Sequence, residues 1–285
     1  MRYAAICPRG LEPLFKEKFE KQISNIFIFE SSDKKAEQVK IATQILKVIN
    51  IDKDLEKVLK FDYKKFYALK IICSEKKAQL NYEATEILNE HMQLHFSNPE
   101  IRLFLIKEKD TYILAEDFLN RDVSKREYRI FTTRFSLNGT SAYALSSLAK
   151  EKKLAFIATT DGIPAVEFAL LNKQSIDVYG VDQIVTEGAR KNALVAEVSE
   201  QINFNVGINL DKKYDHVLVP LNFRKTKMGS KPINIIKKIY PHTKRISLIC
   251  LPEHIKEIKD FLKNCDLELN FFQGKLEMCL MSFKI

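Results

Sequence analysis

Hydrophobic positions along the chain switch between a period of two and a period of three to four, and each switch marks a predicted element. Residues 3–7 form a short apolar run closed by Pro8, Arg9 and Gly10, which predicts a strand and a turn. Leu11, Leu14, Phe15 and Phe19 then recur at helical spacing, with Lys16, Glu17, Lys18, Glu20 and Lys21 on the other face. A strand over 26–29 and a helix over 35–49, the latter on Ala36, Val39, Ala42, Ile45, Leu46 and Ile49, complete a compact α/β module at residues 1–52. A second module, 53–118, opens with the strand-like run 66–73. It continues with a helix over 81–96 on Ala84, Ile87, Leu88 and Met92, stopped by Asn98 and Pro99. Runs 101–106 and 111–115, split by a charged turn, predict a hairpin.

From residue 139 to residue 285 strands and helices alternate, which predicts an α/β, mostly parallel sheet. The helices fall at 140–149, 232–240 and 253–265, and strands at 202–206, 216–219 and 246–251. Two last strands, 267–272 and 276–283, flank Gln273, Gly274 and Lys275, a hairpin signal that adds an antiparallel edge. Within this third module the stretch 154–193 reads as strand, turn, helix, strand and helix, the opening of a Rossmann-like nucleotide-binding sheet. Its second strand, with Val178, Tyr179 and Val181, leads to Asp182, placed to hold a ribose hydroxyl. Its first turn carries only Gly162, after Thr159, Thr160 and Asp161, where close backbone approach to a cofactor favours several glycines.

Composition narrows the partners. The 285 residues suffice for two or three domains, and 46% hydrophobic content with 19 Phe supports real cores. A net charge of +9 draws the protein to polyanions, nucleic acid or an anionic membrane surface. No run approaches the roughly 20 apolar residues of a membrane span and no signal segment is visible, which predicts a soluble, cytoplasmic protein. Cys7, Cys73, Cys250, Cys265 and Cys279 are scattered without a Cys-x-x-Cys pair, so buried reduced thiols are expected, and no metal site. His91 and His95 could share a helix face, but lack a third ligand nearby.

Residues 119–138 form a basic linker in which Arg121, Lys125, Arg126, Arg129 and Arg134 are interleaved with Tyr128, Phe131 and Phe135. That composition suits phosphate contact with base stacking, and equally suits a solvated connector. A second basic run, Arg224, Lys225, Lys227 and Lys231, follows the fourth strand of the third module.

Taken in order, CPRGLEPLFKEKF, FYALKIIC through NPEIRLFLI, DVSKREYRIF with SLNGTSAYALSSLA, and YGVDQIVTEGARKNA resemble the THUMP-domain RNA methyltransferases that modify guanine N2 in tRNA. The resemblance implies an N-terminal ferredoxin-like module, a THUMP domain that docks the acceptor end of tRNA, and a class I methyltransferase domain using S-adenosylmethionine. It departs from that family where the chemistry lies. Aligning the last loop glycine with Gly162 puts the family's helix glutamate on Glu167. The same register puts Phe156, Ile157, Thr159 and Thr160 in place of Asp, Pro, Cys and Gly. In that register Phe156 would fill cofactor space. The adenine-side acid is missing near Ile208, and Val219-Pro220-Leu221-Asn222 replaces the Asp/Asn-Pro-Pro-Tyr loop, with only Pro220 kept.

These residues leave three readings. The first is an RNA-binding, tRNA-directed protein whose methyltransferase domain is catalytically degenerate. The second is an active S-adenosylmethionine-dependent tRNA guanine-N2 methyltransferase with a divergent pocket, keeping Gly162, Glu167 and Asp182, using Asp161 or Asp215 in place of the missing acids, and the loop around Pro220 and Asn222 for chemistry. The third is an adaptor for an active methyltransferase partner subunit.

Overall fold

The computed structural model describes residues 1–61, 66–73, 76–119, 121–158, 160–223 and 231–285. They form two compact units, one of Met1–Cys7 and Phe15–Val123, the other of Pro8–Leu14 and Ser124–Ile285.

The first unit is built on one sheet. Its strands are β1 (Arg2–Ile6), β2 (Lys21–Ile23), β3 (Ile26–Glu30), β4 (Gln44–Asp52), β5 (Phe66–Ile72), β6 (Gln93–Leu94), β7 (Ile101–Glu108) and β8 (Thr111–Glu116), in the order β2-β3-β1-β4-β8-β7-β5-β6. Its helices are α1 (Asp33–Ala36), α2 (Leu55–Leu59) and α3 (Lys77–Asn89). Val58, Leu59, Leu80, Ala84 and Leu88 from α2 and α3 pack with Tyr67, Leu103 and Leu105 in one core. The division expected at residue 52 falls at the end of β4. That strand pairs antiparallel with β1 on one side and with β8 on the other, so residues 1–52 and 53–118 share a sheet.

Two expected helices are replaced. Over residues 11–19 only a 3-10 turn at Glu12–Leu14 forms. Pro13 cannot donate within a helix, and Phe15 instead stacks on Phe27 with ring centroids 4.1 Å apart. The helix expected over 35–49 stops at Ala36, and its second half is the strand β4. The register against β8 shifts between Val48 and Asn50, so a bulge breaks the alternation and leaves apolar residues at spacings that resemble a helix. Helix α3 also ends earlier than expected, at Asn89, which removes His91 and His95 from any shared helix face. The His95 ring accepts from the Asn98 amide at 3.0 Å.

The second unit comprises α4 (Gly139–Ser146), β9 (Leu154–Ala158), α5 (Ile163–Leu171), β10 (Ile176–Gly180), α6 (Gln183–Val195), β11 (Ile202–Val206), β12 (His216–Leu221), α7 (Pro232–Ile239), β13 (Arg245–Cys250), α8 (Pro252–Leu262), β14 (Cys265–Gln273) and β15 (Leu276–Lys284). The sheet order is β11-β10-β9-β12-β13-β15-β14. Strands β9 to β13 run parallel, while β15 is inserted antiparallel between β13 and β14. Sequence order reverses at β9 and β12, and in such sheets ligands bind outside the carboxyl ends of the strands at that reversal. Ala155, Ile157, Val217, Val219, Ile246, Leu248 and Phe283 fill a core with Ile235, Ile236 and Ile239 of α7. Continuous apolar strands are what a sheet covered on both faces requires.

Among the described residues no helix is long and apolar enough to cross a membrane, and no cluster of three metal-ligating side chains occurs. The five cysteines form no disulfide.

Candidate cofactor pocket and the strap across it

The turn from β9 into α5 carries Thr160, Asp161 and Gly162; Thr159 lies outside the described residues. Gly162 is left-handed, φ 69°, and a Cβ there would come within 2.5 Å of the Ala189 Cβ on α6. The glycine therefore serves close packing of α5 and α6 on the sheet. Asp161 is fully buried. Its Oδ2 meets the Arg129 Nε at 3.1 Å, and Thr160 Oγ1 donates to its Oδ1 at 3.2 Å. Burial pushes the Asp161 carboxyl upward in pKa, and the Arg129 guanidinium opposes that shift.

Phe156 does not stand in the pocket. Its ring packs on Phe168 of α5, centroids 5.6 Å apart, in the core between helix and sheet. The expectation that it blocks the cofactor is corrected by this geometry: a side chain in mid-strand points into a layer, whereas ligands of such sheets bind beyond the strand ends.

Asp182 was expected to hold a ribose. In the structure it is the N-cap of α6, and its Oδ1 accepts from the Val185 amide at 2.8 Å. The last residue of β10 is Gly180, which offers no side chain, and a Cβ there would overlap Thr186 Oγ1.

The linker residues form a strap over this end of the unit. Glu167 on α5, 1% exposed, is bound by the Arg126 Nε at 2.6 Å and by the Tyr128 hydroxyl. The Ile130 and Phe131 amides donate to Asn192 Oδ1 at 3.0 and 2.9 Å, while Asn192 Nδ2 donates to the Phe131 and Asp161 carbonyls. Further along, the Asn138 amide donates to Gln273 Oε1 at 2.8 Å. One asparagine on α6 thus ties the strap to the β9 turn, a role sequence reasoning missed although Asn192 sits in the quoted Ala-Arg-x-Asn-Ala run. The fit is close enough that a Cβ on Gly188 would overlap the Phe131 ring.

Of the residues expected at RNA, Arg126 and Arg129 are therefore engaged inside the second unit, with side chains 5% and 18% exposed. Lys125 and Arg134 are exposed in the same unit, and Arg121 is exposed in the first. Arg134 lies over the Phe135 ring at 5.4 Å. Arg224, Lys225 and Lys227 lie outside the described residues.

The end of β12, Pro220 and Leu221, and the next two residues, Asn222 and Phe223, are buried. Asn222 Nδ2 donates to the Phe135 carbonyl at 2.6 Å, so this segment too is fastened to the strap. Asn222 Oδ1 is buried and has no partner among the described residues. Phe223, 2% exposed, faces Phe135 with centroids 6.4 Å apart.

S-adenosylmethionine carries a positive amino group and a sulfonium, and the described residues around this turn do not fit it. Asp161 is already neutralised by Arg129 and Asp182 caps a helix. Gly180 supplies no side-chain acceptor, and buried Thr160 is β-branched where the loop would need a bare backbone.

A second polar cluster sits at the opposite, amino end of the strands. The buried His216 ring contacts Glu151 Oε2 through Nδ1 at 2.7 Å and Ser247 Oγ through Nε2 at 2.8 Å, with Arg245 3.6 Å from Glu151. Burial lowers the His216 pKa and Glu151 opposes the shift. The unfolded histidine titrates near ~6.5 and the folded one below it, so as pH falls through ~6.5 the unfolded chain takes the proton first and stability is lost. The melting temperature of the wild type is expected to fall more steeply than that of His216→Gln between neutral pH and about pH 5, and parallel curves would refute the assignment.

No protein-family model matches the sequence, and no curated protein matches it. Solved structures do resemble it. TrmN from Thermus thermophilus has a TM-score of 0.79 at 15% identity, over 100% of this chain and 99% of that one. A possible methylase from Clostridium difficile 630 has a TM-score of 0.81 at 13% identity, over 99% and 97%. SMU.472, solved in complex with SAH, has a TM-score of 0.73 at 11% identity, over 99% and 97%. At these identities the likeness shows the fold alone: a two-sheet α/β chain whose second sheet is Rossmann-like.

Proposed function

We propose that the chain is an RNA-binding protein, tRNA-directed, whose methyltransferase-fold unit has given up S-adenosylmethionine and serves as a docking scaffold. The observation that carries this reading is the Arg129–Asp161 pair beneath the strap, which leaves the turn after β9 without a carboxylate to offer a cationic cofactor. The first unit is the ferredoxin-like and THUMP portion in this reading. Its exposed Lys70 and Arg102 line, with Arg121, a cleft of about 300 Å³, and the net charge of +9 supplies the attraction to phosphate. A similar solved structure, named as a predicted N6-adenine-specific DNA methylase from Listeria monocytogenes, fits a nucleic-acid partner.

Gel-shift binding to bulk tRNA at low salt is the test. The expected result is binding that weakens as salt rises, with Lys125→Glu/Arg134→Glu reducing affinity about tenfold. No binding at low salt would sink the reading.

One observation favours the alternative of an active enzyme. Asn222 Oδ1 is a buried acceptor with no partner among the described residues, at the end of the strand where an amine substrate would sit. Methyl transfer to RNA by the purified chain alone decides for it, whereas activity only with a stoichiometric methyltransferase decides for an adaptor.

A further inference from the structure

The mismatch between the pocket and its expected cofactor has a specific chemical form. Asp161 is a fully buried carboxylate at the sheet's ligand-binding end. Such a group is costly to bury without a positive partner, and the chain provides that partner from its own strap, through Arg129 Nε at 3.1 Å. Three features hold the guanidinium there. Asn192 fixes both the strap amides of Ile130 and Phe131 and the Asp161 carbonyl. Arg126, three residues before, is pinned on Glu167. Thr160 occupies the second carboxylate oxygen of Asp161.

We propose that Arg129 is a built-in cation that holds the turn after β9 closed from within, so that this turn is a latent binding site for a small guanidinium- or ammonium-bearing ligand. The inference rests on the proposed loss of S-adenosylmethionine and gives its immediate cause. Removing the guanidinium leaves a buried anion beside the space the guanidinium filled. Because the Arg129 side chain is 18% exposed, that space opens to solvent. A matching cation added from outside then restores the ion pair. A neutral molecule of the same size does not.

The experiment compares wild type, Arg129→Ala and Arg129→Ala/Asp161→Asn by thermal melting with methylguanidinium chloride, using sodium chloride at equal ionic strength as control. The expected result is a saturable, millimolar stabilisation of Arg129→Ala, with an affinity at least about tenfold above that of wild type or the double variant. A response absent from Arg129→Ala, or equal in the double variant, overturns the proposal. Should Arg129→Ala not fold unaided, refolding is the readout: recovery with methylguanidinium but not with sodium chloride supports the proposal, and recovery with neither or with both overturns it. A calorimetric titration with S-adenosylmethionine separates loss of the cofactor from the built-in cation. Uptake by wild type overturns the proposed function. No uptake by wild type, together with an unresponsive Arg129→Ala, overturns the built-in cation alone.

Discussion

Glu167→Ala is expected to destabilise the protein by about 3–5 kcal/mol in urea unfolding, because it leaves a buried charge without its counterion. The Arg126 side chain is 5% exposed and the Glu167 side chain 1%, so solvent offers the orphaned guanidinium little relief. The Tyr128 hydroxyl loses its acceptor in the same step, and Glu167 is part of what pushes the Tyr128 pKa upward, after burial. The strap and α5 should then part, since both side chains on Glu167 come from within three residues of the strap. Replacing the pair together, Arg126→Met/Glu167→Leu, is expected to recover part of the loss, because apolar residues of similar volume carry no desolvation penalty while the Tyr128 hydroxyl stays without its acceptor. A loss below about 1 kcal/mol for the single variant would place the pair among weak surface bridges and undo the strap as a structural element.

Gly10→Ala carries the second large effect. Gly10 belongs to the second unit with residues 8–14, has φ 93°, and a Cβ there would overlap the Asn270 carbonyl oxygen and lie 2.9 Å from the Phe271 Cα. Both neighbours are backbone of β14, which cannot swing aside. Left-handed strain of about 1–2 kcal/mol and overpacking of about 1–3 kcal/mol act together. The expected outcome is a fall of several degrees or more in melting temperature. An unchanged melting temperature would mean that the turn at Gly10 does not dock on β14.

The second unit was largely legible in the sequence, because buried parallel strands such as Val217–Val219–Leu221 and amphipathic helices between them write opposite periods into the chain. The first unit was read less well. Its β4 is bulged, and apolar residues at 45, 46, 48 and 49 satisfy a helix as well as an irregular strand. For Leu11 to Phe19 the decisive influence was tertiary, Phe15 on Phe27 and Gly10 against β14, and no local pattern encodes it.

At the candidate site the sequence names charged residues without naming what they touch. Arg126 and Arg129 carry positive charge in any reading, but charge does not state its partner. Those partners, Glu167 and Asp161, lie 41 and 32 positions away. Asp182 sits where a ribose acceptor and a helix cap are written with the same letter, and the structure shows its Oδ1 accepting from the Val185 amide. Phe156 was assigned to the pocket by alignment to a motif, while strand alternation points it toward Phe168. Asn192 was missed as a clamp because an asparagine within a helix gives no signal of what it holds.

The most direct test of the central claim is calorimetric titration of the intact chain with S-adenosylmethionine. The account predicts no binding up to millimolar cofactor while the same preparation binds tRNA. Saturable S-adenosylmethionine binding at low micromolar concentration would contradict it.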